Sequence, residues 1–399
     1  MGILRPFTKK NVLLLYLLVI FSATVIRGWN NHISLNTWNI GDWLINYQGG
    51  FVRRGLFGEL ALLAHNFFGF DIVIFVFACQ ILFYFGFMSF CFLLLTRQEI
   101  HESYSFLIYS PFIFSFQVFD PHGGFRKEII AFFLLSLVYW SASLNERVFK
   151  KVFYFSLLIY PLAVLTHEML IVLLPYLIIC YVIGRNNINI REILCISIFL
   201  LPTILAFASA LLVPVDGQTI EEICRSLGQM SSKICVENGA IMWLDMPMSD
   251  LMRWVWRKIT QGGYTSVYPI YTTLVVLGFL PFANRISAIL KYKKAVYLLV
   301  LSFCMTIVLT IVMLDWGRLI YIQAVSIFIL CIGFGARRDA GVVGEIGTPL
   351  LRINVNKNVG KSITLLLFLM YVSVWNVMNS GNTIGSGIVG LLFEVKVNF

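Results

Sequence analysis

Apolar runs about as long as a bilayer is thick recur from one end of this 399-residue chain to the other, and they limit its fold more than any other feature. Inside a bilayer the backbone has no water to bond. A run of that length therefore crosses as a helix that satisfies its own N–H and C=O groups. Only 13% of the residues are charged and 59% are hydrophobic, whereas about a quarter of a soluble domain is charged.

The pattern predicts one integral membrane domain over residues 1–399. It is all-α and polytopic, with about eleven transmembrane helices. These are expected near 11–27, 70–96, 104–118, 126–144, 152–166, 168–183, 193–213, 266–283, 295–314, 319–335 and 363–378. The first follows Arg5, Lys9 and Lys10 as a signal peptide would, but lacks a small-x-small cleavage site, so it is expected to remain as an anchor. An N-in/C-out orientation gathers most of the 30 Lys and Arg on the inside, Arg97, Arg147, Lys150, Lys151, Lys293 and Lys294 among them. The 20 acidic residues then fall mostly outside. The inverted topology would break the positive-inside rule. The net charge of +10 is thereby accounted for by cytoplasmic anchoring, and no nucleic-acid partner is expected.

This orientation gives outer loops at about 28–69 and 214–265 and a cytoplasmic loop at about 336–361. Two stretches read as interfacial helices on the outer face. Leu56 to Phe68 has apolar residues at helical spacing around Glu59 and His65. Trp243 to Ile259 sets Trp254 and Trp256 beside Arg253, Arg257 and Lys258, the mark of the headgroup belt. Six of the 8 cysteines fall in apolar spans. Cys224 and Cys235 share an outer loop, where an oxidising compartment favours a disulfide between them.

The polar residues cluster between the apolar runs, and the orientation puts four clusters on one face. GDWLINYQGGFVRRG (Gly41 to Gly55) contains Asp42 and two adjacent arginines, Arg53 and Arg54. Their planar forks suit phosphate oxygens, although arginines that merely snorkel to headgroups would look the same. DPHGGFRKE (Asp120 to Glu128) holds Asp120, His122, Arg126 and Lys127 at the outer start of a span, where dipole and side chains favour an anion. Positive charge on the outside opposes the topology rule, which argues for a specific role. Thr166-His167-Glu168 interrupts a run too long for one span. Ionisable residues at such depth cost about 2.5–3.5 kcal/mol each, so His167 and Glu168 form a candidate acid/base pair, or else a polar turn joining two short helices. Asp315 and Arg318 of DWGR are one helical turn apart, as an ion pair or as part of a site.

The expected substrate has a lipid tail in the bilayer and a phosphate or diphosphate head. On the outer face of a bacterial inner membrane, glycosyl transfer draws on polyprenol-linked donors. Basic residues would stabilise the leaving phosphate, and a carboxylate or histidine would deprotonate the acceptor hydroxyl. No Walker A loop, H-E-x-x-H, G-x-S-x-G elbow or Asp-x-Asp pair is present, so no cofactor and no metal are expected.

With YQGGFVRRG, FDPHGGFRKE and DWGR on outer loops, the chain resembles the C-type membrane glycosyltransferase superfamily. It is also similar in length, texture and mid-chain outer loop to bacterial O-antigen and capsule polymerases. The resemblance implies a multi-pass protein of the bacterial inner membrane that joins polyprenyl-(di)phosphate-linked saccharide units on the periplasmic face. Its partners would be the bilayer, the lipid-linked saccharide and other polysaccharide-assembly proteins such as a chain-length regulator. It also implies a catalytic role for Asp42, the acidic residue of the first outer loop, as general base. The residues themselves nominate Arg53 and Arg54 for the diphosphate, Arg126, Lys127 and Arg318 as further anion contacts, and Asp120 and Asp315 beside them. His122, His167 and Glu168 would orient the acceptor or serve as base. A flippase of lipid-linked oligosaccharide and a non-catalytic assembly subunit are the competing classes. A transporter would place its charges near the midplane and repeat its halves.

Overall fold

A computed structural model describes residues 9–98, 102–120, 122–183, 185, 188–337, 357–381, 383–385 and 387–388. Among the described residues the secondary structure is helical, apart from one isolated antiparallel bridge between Asn376 and Gly385. Among the described residues seven helices are long and apolar enough to cross a membrane: Lys9–Ser34, Ile72–Thr96, Glu146–Thr166, Ile190–Leu212, Tyr264–Leu290, Lys293–Val312 and Trp316–Ala336. Leu56–Phe68, Glu128–Ala142, Glu168–Ile183 and Ser362–Ser373 are apolar but shorter. The cytoplasmic loop expected at 336–361 lies mostly outside the described residues, as does the C-terminus.

Trp316–Ala336 is the hub. The most apolar stretch of this helix is 83% buried, against 17% for Lys293–Val312, so it is covered by protein where the latter faces outward. Glu128–Ala142 packs against the hub, against Ile72–Thr96 and against Glu146–Thr166. Only 15 residues long, it is short for a bilayer crossing of ~20 residues. It is buried among neighbours from Glu128 through Phe132. Local signals set the helix starts. Asp71 accepts from Ile74 N at 2.8 Å, Asn145 from Val148 N at 2.9 Å, and Asn189 forms a capping box with Glu192.

The long run 152–183 divides at Thr166-His167-Glu168. The helix Glu146–Thr166 stops, His167 is extended, and the chain restarts as a 3-10 turn over Glu168–Leu173 before Leu174–Ile183. The segment 104–118, expected as a span, is not a continuous helix. It folds as Ser105–Ile108, a series of turns, and Phe116–Phe119. Pro111 lacks an N–H and disfavours helix at the residue before it. Ser110 and Ser115 turn their hydroxyls onto the carbonyls of Leu107 and Ser110. Irregular backbone is tolerated because Phe112, Ile113, Phe114 and Phe116 are fully enclosed by protein.

The two helices expected at the interface are close to expectation. Leu56–Phe68 is helical over that range. The second begins only at Met248, after Pro247, and runs to Gln261. It exposes Trp254 and Trp256, pairs Arg253 with Asp250 at 3.1 Å, and lays Arg257 over the Trp254 ring. The last apolar helix, Lys357–Ser373, ends before 378. From Val374 the chain runs back non-helically, with Trp375, Asn376, Val377 and Asn379 buried.

Candidate functional site

The loops that carry the polar clusters are locked to one another. The helix Asn39–Leu44 is wholly buried. Trp43 donates its indole N–H to the Phe125 carbonyl at 2.7 Å, and Gln80 donates to the same oxygen at 3.0 Å. Phe125 has φ +59°, a conformation that L residues adopt only where contacts over-determine it. Its own N–H donates to the Tyr84 hydroxyl at 3.3 Å, so both polar groups of its backbone are fixed. Downstream of Asn39–Leu44, Gly58 sits against the Ile45 carbonyl so closely that a Cβ would overlap it. Glu59 accepts from Tyr47 N at 3.0 Å and from the Gln48 amide at 2.9 Å. The turn between them is held at both ends.

At that turn Arg54 also has positive φ, +71°. Its side chain reaches Glu168 with Nε at 3.0 Å from both carboxylate oxygens and a terminal nitrogen at 2.6 Å. Its carbonyl accepts from Lys127 Nζ at 3.0 Å. One strained residue thus ties together the loop at 45–55, the 120s loop and the break at 166–168. A second fork does the same from the hub helix. Arg318 donates to both oxygens of Glu128 at 2.9 and 2.8 Å, to Asp315 at 3.3 Å, and faces His167 Nε2 at 3.1 Å. Guanidinium only donates, so Nε2 must accept, and the other ring nitrogen, Nδ1, faces the Met169 N–H at 3.4 Å. That nitrogen lies 3.4 Å from Glu168 Oε2. The Nε2 lone pair of His167 is therefore occupied by Arg318, and its ring, fully buried, stands between two salt bridges as a spacer.

Asp42 lies at the centre and is 0% exposed. Among the described residues no group donates a hydrogen bond to either carboxylate oxygen. The nearest cations are Arg54 at 3.8 Å and Arg126 at 3.9 Å. Burial alone would raise the Asp42 pKa, but Lys127 and Arg126 outweigh it and hold the carboxyl below its ordinary range. Burial likewise pushes Lys127 down to about 8, against the pull of Asp42. The cluster is layered. Asp42, Arg126, Lys127, Glu128, His167 and Arg318 are buried, while Arg54, Glu168 and Asp315 are partly exposed above them.

The remaining expected residues are distributed less simply. Arg53 turns away from its neighbour and donates to the Leu244 carbonyl at 3.0 Å. Arg126 donates to the Trp38 carbonyl at 2.8 Å and lies over the Trp38 ring. Asp120 folds its own loop, accepting from His122 N and Gly123 N at 2.8 Å each. The His122 ring is exposed. Cys224 and Cys235 are bonded, and the lobe they close meets the loop after Leu44 where Ser226 accepts from Asn46 at 3.0 Å. Among the described residues no three His, Cys, Asp or Glu side chains converge as a metal site would require.

The sequence reading missed Asn379. Its N–H donates to Asp120, its amide to Asp315 at 3.1 Å, and its carbonyl accepts from Gly317 N at 3.0 Å and the Tyr268 hydroxyl at 3.2 Å. Gly317 has no room for a Cβ beneath the Met378 carbonyl. The 374–388 segment thus straps the Asp120 and DWGR motifs together. The only signal for it was the density of Asn and Gly in NVMNSGNTIGSG (Asn376 to Gly387).

Residues 12–241 match the model of a family described as uncharacterised membrane protein Rv1490. The match takes in Asp42, Arg54, Asp120 to Glu128, His167, Glu168 and the disulfide, and ends before Asp315 and Arg318. No curated protein and no solved structure matches the chain. More than half of the chain lies within the family match, and the protein belongs to the Rv1490 family of membrane proteins.

Proposed function

We propose that the protein is a membrane glycosyltransferase or polymerase that moves polyprenyl-(di)phosphate-linked saccharide units, in O-antigen or capsule synthesis, on the periplasmic face of a bacterial inner membrane. The N-terminus would lie in the cytoplasm and the chain would cross about eleven times, counting the shorter helices Glu128–Ala142, Glu168–Ile183 and Ser362–Ser373 and the irregular segment 104–118. The observation that carries the reading is the convergence of four sequence-distant clusters on one buried carboxylate, Asp42, with Arg54 and Arg318 as forked connectors. A structural ion pair needs two residues, and here nine ionisable side chains from four clusters share one place. Such concentrations of coupled groups belong disproportionately to functional sites.

In the proposed reaction an acceptor hydroxyl oxygen attacks the anomeric carbon. The bond from that carbon to the phosphate oxygen breaks, and its electron pair leaves with the lipid phosphate. Lys127 and Arg126 stabilise that charge. Glu168, 12% exposed, takes the hydroxyl proton. Asp42, fully enclosed, instead keeps Lys127 and Arg126 in place as their counter-ion. Arg54 couples the two halves. A phosphate that draws its fork away from Glu168 removes the hydrogen bonds that stabilise the carboxylate, which makes Glu168 the stronger base as substrate arrives.

Deleting the gene in a host with a surface polysaccharide tests this. The expected result is loss of long chains, with lipid-linked units accumulating on the outer leaflet. Rescue should come from the wild-type chain and not from Glu168→Gln. Units trapped on the inner leaflet would favour the flippase reading. Unchanged chain length would remove the enzyme reading.

A further inference from the structure

Apart from the charge cluster, a cavity of about 410 Å3 opens between the end of Leu56–Phe68, the start of Ile72–Thr96 and the disulfide-closed lobe. That volume falls within the range of small-molecule sites. Its polar lining is Gln48, His65, Asn66, Asp71 and Ser226, over an aliphatic floor that includes Leu62. No Lys or Arg lines it, so it is not a second phosphate site.

The lining has a definite hydrogen-bonding sense. His65 Nδ1 faces the Phe70 carbonyl at 2.8 Å. A carbonyl only accepts, so Nδ1 carries the proton and Nε2 presents a lone pair. Asp71 spends Oδ1 on the Ile74 N–H, which leaves Oδ2. Gln48 spends its NH2 on Glu59, which leaves its carbonyl oxygen. Asn66, exposed, adds an amide with both functions. A ligand that satisfies this set must bring several donors together with a few acceptors, as the hydroxyls of a sugar ring do. The depth also fits. Phe67, Phe68 and Phe70 are exposed beside the opening, as aromatic residues are at the headgroup level. The cavity is linked to the charged turn through Glu59, which also accepts from Tyr47 N.

We infer that this cavity holds the saccharide portion of a membrane-anchored substrate, with Asn66, His65 Nε2 and Asp71 Oδ2 reading its ring hydroxyls. The inference rests on the glycosyltransferase reading for the identity of the lipid partner, and its test does not require transfer. The full chain would be held in phosphatidylcholine nanodiscs. Saturation-transfer NMR would be run with free neutral di- and trisaccharides built from hexoses, deoxyhexoses and N-acetylhexosamines.

At least one saccharide should bind. Asn66→Leu, a change at an exposed position, should weaken it about tenfold, as expected for one or two lost hydrogen bonds. The inference is overturned if no saccharide binds, if Asn66→Leu binds as well as wild type, or if ethanolamine competes the saccharide away. Saccharide binding that depends on Asn66 in a protein without transfer activity would remove the glycosyltransferase reading and leave this site standing. Transfer that is indifferent to Asn66→Leu would do the reverse.

Discussion

Arg54 and Glu168 lie 114 residues apart in sequence and are joined by three hydrogen bonds of 2.6–3.0 Å, made by an arginine whose own backbone is left-handed. The grip needs a planar fork, which lysine lacks. Arg54→Lys should lower turnover by about ten- to a thousandfold, or ~1.4–4 kcal/mol, with normal membrane abundance. Arg53→Lys should do much less, because Arg53 makes its bond to a backbone carbonyl, that of Leu244. Equal losses at both positions, or none at Arg54, would contradict the assignment of Arg54 as connector. Chain length and membrane abundance, measured together, decide it.

Lys127 supplies a pH signature. In the folded protein its ammonium is charged below about 8 and neutral above. Anion binding that depends on it should therefore weaken as pH rises through that value. The unfolded lysine keeps its proton to higher pH, so between about 8 and the ordinary lysine range the unfolded state binds more protons and folding stability rises with pH. Activity and stability should move in opposite directions across this window. Lys127→Arg should flatten the activity profile. Initial rates and thermal unfolding from pH 6.5 to 9.5, at constant ionic strength, check both signs.

Gly58 reports on the loop at 45–55 alone. A Cβ there overlaps the Ile45 carbonyl, so Gly58→Ala must push the helix Leu56–Phe68 away from the turn that presents Arg54. Overpacking of this kind costs about 1–3 kcal/mol. Thermal unfolding in detergent should show the loss. Gly69, at φ +70° with nothing near it, should respond through backbone strain only.

The strap makes a separable prediction. Asn379→Ala removes the amide bond to Asp315 but keeps the backbone N–H that bonds Asp120, and should cost about 0.5–1.5 kcal/mol. Asp120→Ala strips the acceptor from three backbone N–H groups at once and should cost clearly more. Unfolding midpoints of the two variants, ranked the other way, would contradict the strap geometry.

Much of this architecture was legible because bilayer physics leaves few options. Apolar run length located the long helices, and the interruption at His167-Glu168 marked a real break. Helical spacing found Leu56–Phe68. What failed was the inference from apolarity alone. Residues 104–118 are as apolar as a span, yet Pro111 and two serines break them into turns that the protein encloses. Charge placement brought the site residues to one face but could not say who pairs with whom. Arg53 and Arg54 looked equivalent in the sequence, and only the positive φ of Arg54 separates them. Arg318 looked like the local partner of Asp315, and its stronger bonds go to Glu128, 190 residues away. Asn379 was invisible because an asparagine in a Gly-rich tail carries no pattern until the backbone places it.

The most direct test of the central claim is transfer by the purified protein. The full chain, in liposomes that also contain a polyprenyl-diphosphate-linked saccharide with an isotope-labelled sugar, should move label from the lipid into a longer saccharide and release the lipid diphosphate in equal amount. Glu168→Gln should abolish the product while leaving the protein folded. Label that stays on its original lipid with the wild-type protein, whether or not it changes leaflet, would contradict the account.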